Sequence, residues 1–97
     1  MKEAGSTRSA TAAGEWPARA HALAIDAALA GEWEHAHRIV QEMNDPLACW
    51  IHAILHKIEG DLWNSRYWYG RTGRWRYEEQ PDARAELLLV LAAIDRE

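Results

Sequence analysis

The chain has 97 residues, a length that suits one domain able to bury roughly 60–70% of its unfolded surface. Its formal net charge of −4 argues against a general nucleic-acid binder. One cysteine, Cys49, excludes an internal disulfide and fits a reducing compartment.

Residues 1–14 are small and polar without a period, and a disordered tail is expected there. They lack the apolar run of a signal peptide, and no window of the chain holds eighteen apolar residues. The expectation is a cytoplasmic protein with no membrane span. Residues 15–97 are expected to form a single domain. Trp16-Pro17 opens a helix that runs to about Ala30. Its large apolar residues are Leu23, Ile25 and Leu29, and Ala20, Ala24, Ala27 and Ala28 give it a smooth face for close helix approach.

Gly31 ends that helix, and the next is expected over Glu32–Met43, with Trp33, Ala36, Val40 and Met43 on one face. His35 and His37 sit two apart, so they cannot share a helix face, and both read as surface or boundary side chains. Asn44-Asp45-Pro46 is a turn signal. Asp45 then caps a third helix whose first residue is Pro46, where the missing N–H costs nothing. Leu47, Trp50, Ile51, Ile54, Leu55 and Ile58 form its apolar face. Gly60 closes it, because a C-terminal residue in the left-handed region is cheapest as glycine.

Asp61 caps a fourth helix, Leu62–Thr72, with Leu62, Ser65, Tyr69 and Thr72 on one face. Residues 74–82 lack a period and read as a loop. Asp82 starts a last helix, to about Asp95, that is apolar on nearly all sides. Leu87, Val90, Leu91 and Ile94 make one face, and Leu88, Leu89, Ala92 and Ala93 another. A helix apolar all round is usually covered on two sides, so Leu88, Leu89 and Ala92 are expected at a homo-oligomer interface.

Two segments align without gaps, Gly31–Val40 over Gly60–Tyr69, 29 residues apart. The shared pattern is glycine, acid, large apolar, a small residue five positions after the glycine (Ala36, Ser65) and a large one at nine (Val40, Tyr69). Glycine makes the corner, the acid caps, and the small residue lets two helices approach. Over about residues 18–73 this resembles the tetratricopeptide-like helical repeats. The resemblance implies about five helices stacked as antiparallel hairpins in an all-α superhelix. It also implies a peptide- or protein-binding role, with no catalytic residue; separately, no cofactor is expected.

Two groups of side chains stand out as candidate sites. His52, His56 and Glu59 lie at i, i+4 and i+7, roughly opposite the apolar stripe, and Asp61 and Asn64 follow just past the corner. A His-x-x-x-His pair on a helix can share a divalent metal. The zinc-protease arrangement needs Glu directly after the first histidine, where Ala53 stands. The competing reading is a polar packing cluster. The second group is aromatic, because six of the nine aromatics fall between Trp63 and Tyr77. Trp63, Tyr67, Trp68 and Trp75, interleaved with Arg71 and Arg74, are of the types enriched in binding hot spots. Its competing reading is closure of the domain's end against the last helix. The leading functional expectation is a protein-interaction module. The alternative is a metal- or small-ligand-binding protein, extending to hydrolysis, built on His52, His56 and Glu59.

Overall fold

The computed structural model describes residues 18–96, with the backbone alone at 95 and 96. The expected tail at 1–14 and the expected helix start at Trp16-Pro17 lie outside this range. The described residues form helices and no strand. Helix α1 covers 18–29, α2 Trp33–Val40, α3 Pro46–Glu59, α4 Leu62–Thr72 and α5 Ala83–Arg96. A 3-10 turn, Tyr77–Glu79, lies between α4 and α5. It lies within the loop expected at 74–82, whose other residues are irregular.

The helix boundaries follow local chemistry. Asp45 stands in extended backbone, and its carboxylate accepts the Ala48 N–H at 3.1 Å, while Pro46 occupies the first helical position. Asp61 accepts the Asn64 N–H in the same way at 3.1 Å. Gly31 and Gly60 both adopt positive φ, +83° and +86°, where a Cβ would be strained. The two corners also share their hydrogen bonds. Glu32 N–H donates to Ala27 O at 2.8 Å, and Asp61 N–H donates to His56 O at 2.9 Å. Each bond satisfies a carbonyl that the helix end leaves free. Helix α2 stops at Val40, three residues short of the expected Met43, where Met43 N–H tightens back to Val40 O at 3.0 Å.

Helix α3 lies at the centre. It packs chiefly on α4 and also meets α2 and α5, and Ala24, Ile25 and Ala27 of α1 join the same apolar cluster. Every residue from Leu47 to His56 is therefore buried. This overturns the expectation that one stripe of α3 faces the core while His52 and His56 lie on a polar face. With neighbours on several sides, α3 has no open face over that stretch. Two residues of the expected apolar faces, Ile58 and Leu62, are instead about half exposed. Both lie within two residues of the Gly60 corner.

The small residues at the crossings are fully buried: Ala36 in α2 and Ser65 in α4. The Ser65 hydroxyl donates to Ala53 O at 2.8 Å, so its polar group is satisfied against the backbone of α3. Helix α5 buries Glu86, Leu87 and Val90 and exposes Leu88, Leu89 and Ala92. None of the described helices is long and apolar enough to cross a membrane.

Candidate functional site

His52 and His56 are one turn apart on α3, and both are buried, His52 to 3% exposure. A third imidazole joins them from α2. His37 Nε2 lies 3.0 Å from His52 Nε2, so at most one proton stands between the two nitrogens. The three rings form a cluster with centroids 4.7 to 5.4 Å apart. Tryptophans clamp it from two sides. Trp33 stacks on His37 at 4.8 Å, and Trp68 of α4 stacks on His52 at 3.8 Å. Trp33 is itself anchored, because its indole N–H donates to Leu55 O at 2.5 Å.

The cluster's electrostatics follow from burial. Loss of solvent, then the neighbouring His37 and His56, push the His52 pKa down to about 3. Burial, then His56, lowers His37 as well, against a smaller opposing pull from Glu59. Both rings are neutral near pH 7. His56 differs in having a carboxylate beside it, with its Nδ1 2.7 Å from Glu59 Oε1. That contact orients the ring and places a proton on Nδ1, so that in a neutral ring the lone pair is on Nε2. His52 Nδ1 is buried with no hydrogen-bond partner.

Asp61 and Asn64 are brought close but perform a local task. The Asn64 amide N–H and then its side-chain NH2, 2.7 Å from Asp61 Oδ2, hold the Asp61 carboxyl below its usual range. Asp61 also offers an oxygen near His56 and Glu59, the three ligand atoms lying within 4.8 Å of one another.

The aromatic group divides. Trp75 stacks on the buried Trp50 at 3.9 Å, and the Arg74 guanidinium covers its outer side at 4.4 Å. Trp68 is half-buried on His52, with Arg71 5.2 Å from its ring. Trp63 is 83% exposed and Tyr67 52%. They stand one turn apart on the outer face of α4, and Arg71 donates to the Tyr67 hydroxyl at 3.2 Å.

Two groups escape the reading of the sequence. His37 was read as a solitary boundary side chain. A signal existed, since His37 and His52 lie seven residues either side of Asn44-Asp45, and residues equidistant from a helical turn face each other. Glu86 was not singled out at all. It is 2% exposed and accepts from Trp50 Nε1 and the Tyr69 hydroxyl, each at 2.7 Å, and from Lys57 Nζ at 2.7 Å. Lys57 also donates to Tyr77 O and Gln80 O. The signal was an acid at the head of the apolar run 87–94 and a base set beside Ile58 on α3. A cleft of about 360 Å³ opens beside this network, lined in part by Trp50, Trp75, Glu86 and Leu89.

No protein-family model, curated protein or solved structure matches the chain.

Proposed function

We propose that this chain is a small protein-interaction module of helical-hairpin repeat type. In this reading α1–α2 and α3–α4 are two copies of one unit. Support comes from residues 29 apart that play the same part. Ala24 and Ala53, Ile25 and Ile54, Ala36 and Ser65, and Val40 and Tyr69 are all buried. The Gly31 and Gly60 corners carry the same positive φ and the same bond across the corner. A two-unit stack leaves helix faces without a neighbour, and repeat architectures use such faces for binding.

The observation that carries the functional part is the exposure of Trp63 and Tyr67. A tryptophan 83% in water, one turn from a half-exposed tyrosine, is a costly surface for a chain that holds its other α4 aromatics against the core. Arg71 lies alongside Tyr67 and Arg74 over Trp75, both without a carboxylate partner among the described residues. The partner surface is therefore a protein segment with apolar and acidic side chains, anchored by the aromatics and oriented by the arginines. A second copy of the chain covers Leu88, Leu89 and Ala92 of α5 in the same reading.

The test begins with affinity capture from soluble extract on wild type and on Trp63→Ala/Tyr67→Ala, followed by calorimetry with the purified partner. The expected result is one-to-one binding that each single substitution weakens by about 2 kcal/mol or more. If wild type retains no protein that the double variant fails to retain, α4 is not an interaction face. Light scattering of wild type and Leu88→Glu/Leu89→Glu checks the α5 contact, and a wild-type monomer at all concentrations removes it.

A further inference from the structure

We propose that His37, His52 and His56 bind one divalent transition-metal ion of the zinc class, with Glu59 as the outer partner that orients His56. This goes beyond protein interaction, and it differs from the site suggested by helix spacing. His37 of α2 becomes a ligand, and Glu59 moves behind one.

The geometry fits with modest adjustment. One ligand nitrogen from each histidine lies within 4.8 Å of the other two. Zinc–nitrogen bonds of roughly 2.0–2.1 Å in tetrahedral geometry place ligand nitrogens about 3.3 Å apart. The His37–His52 pair, at 3.0 Å, is already close to that spacing. The third nitrogen, within 4.8 Å of both, must move in by at most about 1.5 Å. An ion between the two Nε2 atoms would replace the single N–H···N hydrogen bond that they share.

The surroundings are those of a ligand set. Glu59 takes the Nδ1 proton of His56 at 2.7 Å, the carboxylate–histidine arrangement that fixes a tautomer and raises ligand basicity. Stacking by Trp33 and Trp68 holds His37 and His52 in place, so little freedom remains to be lost on binding. Three imidazoles suit zinc, cobalt, nickel and copper; magnesium and calcium require oxygen ligands. Three protein ligands leave the fourth position to water.

The experiment uses tag-free, chelator-stripped full chain titrated with Zn²⁺ by calorimetry and with Co²⁺ by visible absorption. One Zn²⁺ per chain at submicromolar affinity is expected, together with the visible bands of four-coordinate cobalt. His37→Ala and His56→Ala should each weaken Zn²⁺ binding more than about 100-fold, and Glu59→Gln about 10- to 100-fold. His52 is a core residue, so its substitution risks the fold, and the other two carry the test with circular dichroism as the control. His35→Ala, on the exposed side of α2, should bind as wild type does. Absence of one-to-one Zn²⁺ binding overturns the proposal. So does wild-type affinity in folded His37→Ala and His56→Ala, or loss of binding in His35→Ala.

Discussion

His52 combines near-complete burial, a stacking tryptophan and a nitrogen with no partner, and each feature bears on its protonation. Its pKa of about 3 in the fold lies below the 6.5 of a solvated imidazole. Between those values the unfolded chain holds a proton that the folded chain does not. Stability is therefore whole above pH 6.5, falls as pH drops below it, and has lost this contribution below about pH 3. The slope reaches up to about 1.4 kcal/mol per pH unit for this one group. Urea unfolding of metal-free protein at pH 7.0 and 5.5, above the carboxylate range, should show the decline, and His52→Gln should make it shallower, leaving the part that the lowered His37 contributes. Equal midpoints for wild type at both pH values would mean that the ring is solvated or charge-paired in solution.

The helix corners make a different kind of prediction, because there the backbone decides. At Gly31 and Gly60 an added Cβ meets no atom within 4 Å, so space is not the constraint. The constraint is φ near +85°, which costs an L-residue roughly 1–2 kcal/mol. Gly31→Ala and Gly60→Ala should each lower stability by about that amount, and Gly60→Asn by less, since asparagine tolerates the left-handed region. Thermal melts of the three variants check this. An unchanged melting temperature for Gly60→Ala would mean that the corner relaxes to negative φ. Similar losses at the two glycines would also fit two copies of one structural unit.

The Lys57–Glu86 pair belongs to the molecule as a whole, for it joins α3, α4, α5 and the 3-10 turn at one buried point. Both side chains are at most 7% exposed. Glu86 collects three donors, and the Lys57 ammonium also lies near the rings of Tyr69 and Tyr77, at 4.9 and 4.8 Å. Burial and the Glu86 carboxylate raise the Tyr69 pKa, so its hydroxyl stays a donor. Removing one partner strands the other charge. Glu86→Ala should therefore destabilise the fold by about 3–5 kcal/mol. Lys57→Met combined with Glu86→Leu should lose much less, because no charge is then left unpaired. Denaturant unfolding of the single and double variants measures the coupling, and simple additivity would show that the two residues act independently.

The chain's local order was written in its local chemistry. Asp45, Pro46, Gly60 and Asp61 marked the limits of α3 and α4 to the residue, because caps and left-handed corners depend on a few adjacent side chains. Periodicity placed Ser65, Tyr69 and Thr72 on the buried side of α4 for the same reason. It failed at Ile58 and Leu62, since the pattern of one helix does not show where its neighbours end. The histidines divide along the same line. The i, i+4 spacing joined His52 to His56, but packing of α2 on α3 brought in His37, buried the cluster and lowered the His52 pKa. Packing likewise separated Trp75 and Trp68, held against Trp50 and His52, from Trp63 and Tyr67 in water. Sequence alone determined the order of the helices, the Asp45 and Asp61 caps and the glycine corners; the acid after Gly31, Glu32, makes no side-chain cap bond, and α2 ends early at Val40. Which side chains meet across those helices, and which lose their water, only the tertiary structure decided, because desolvation and contact depend on residues far apart along the chain.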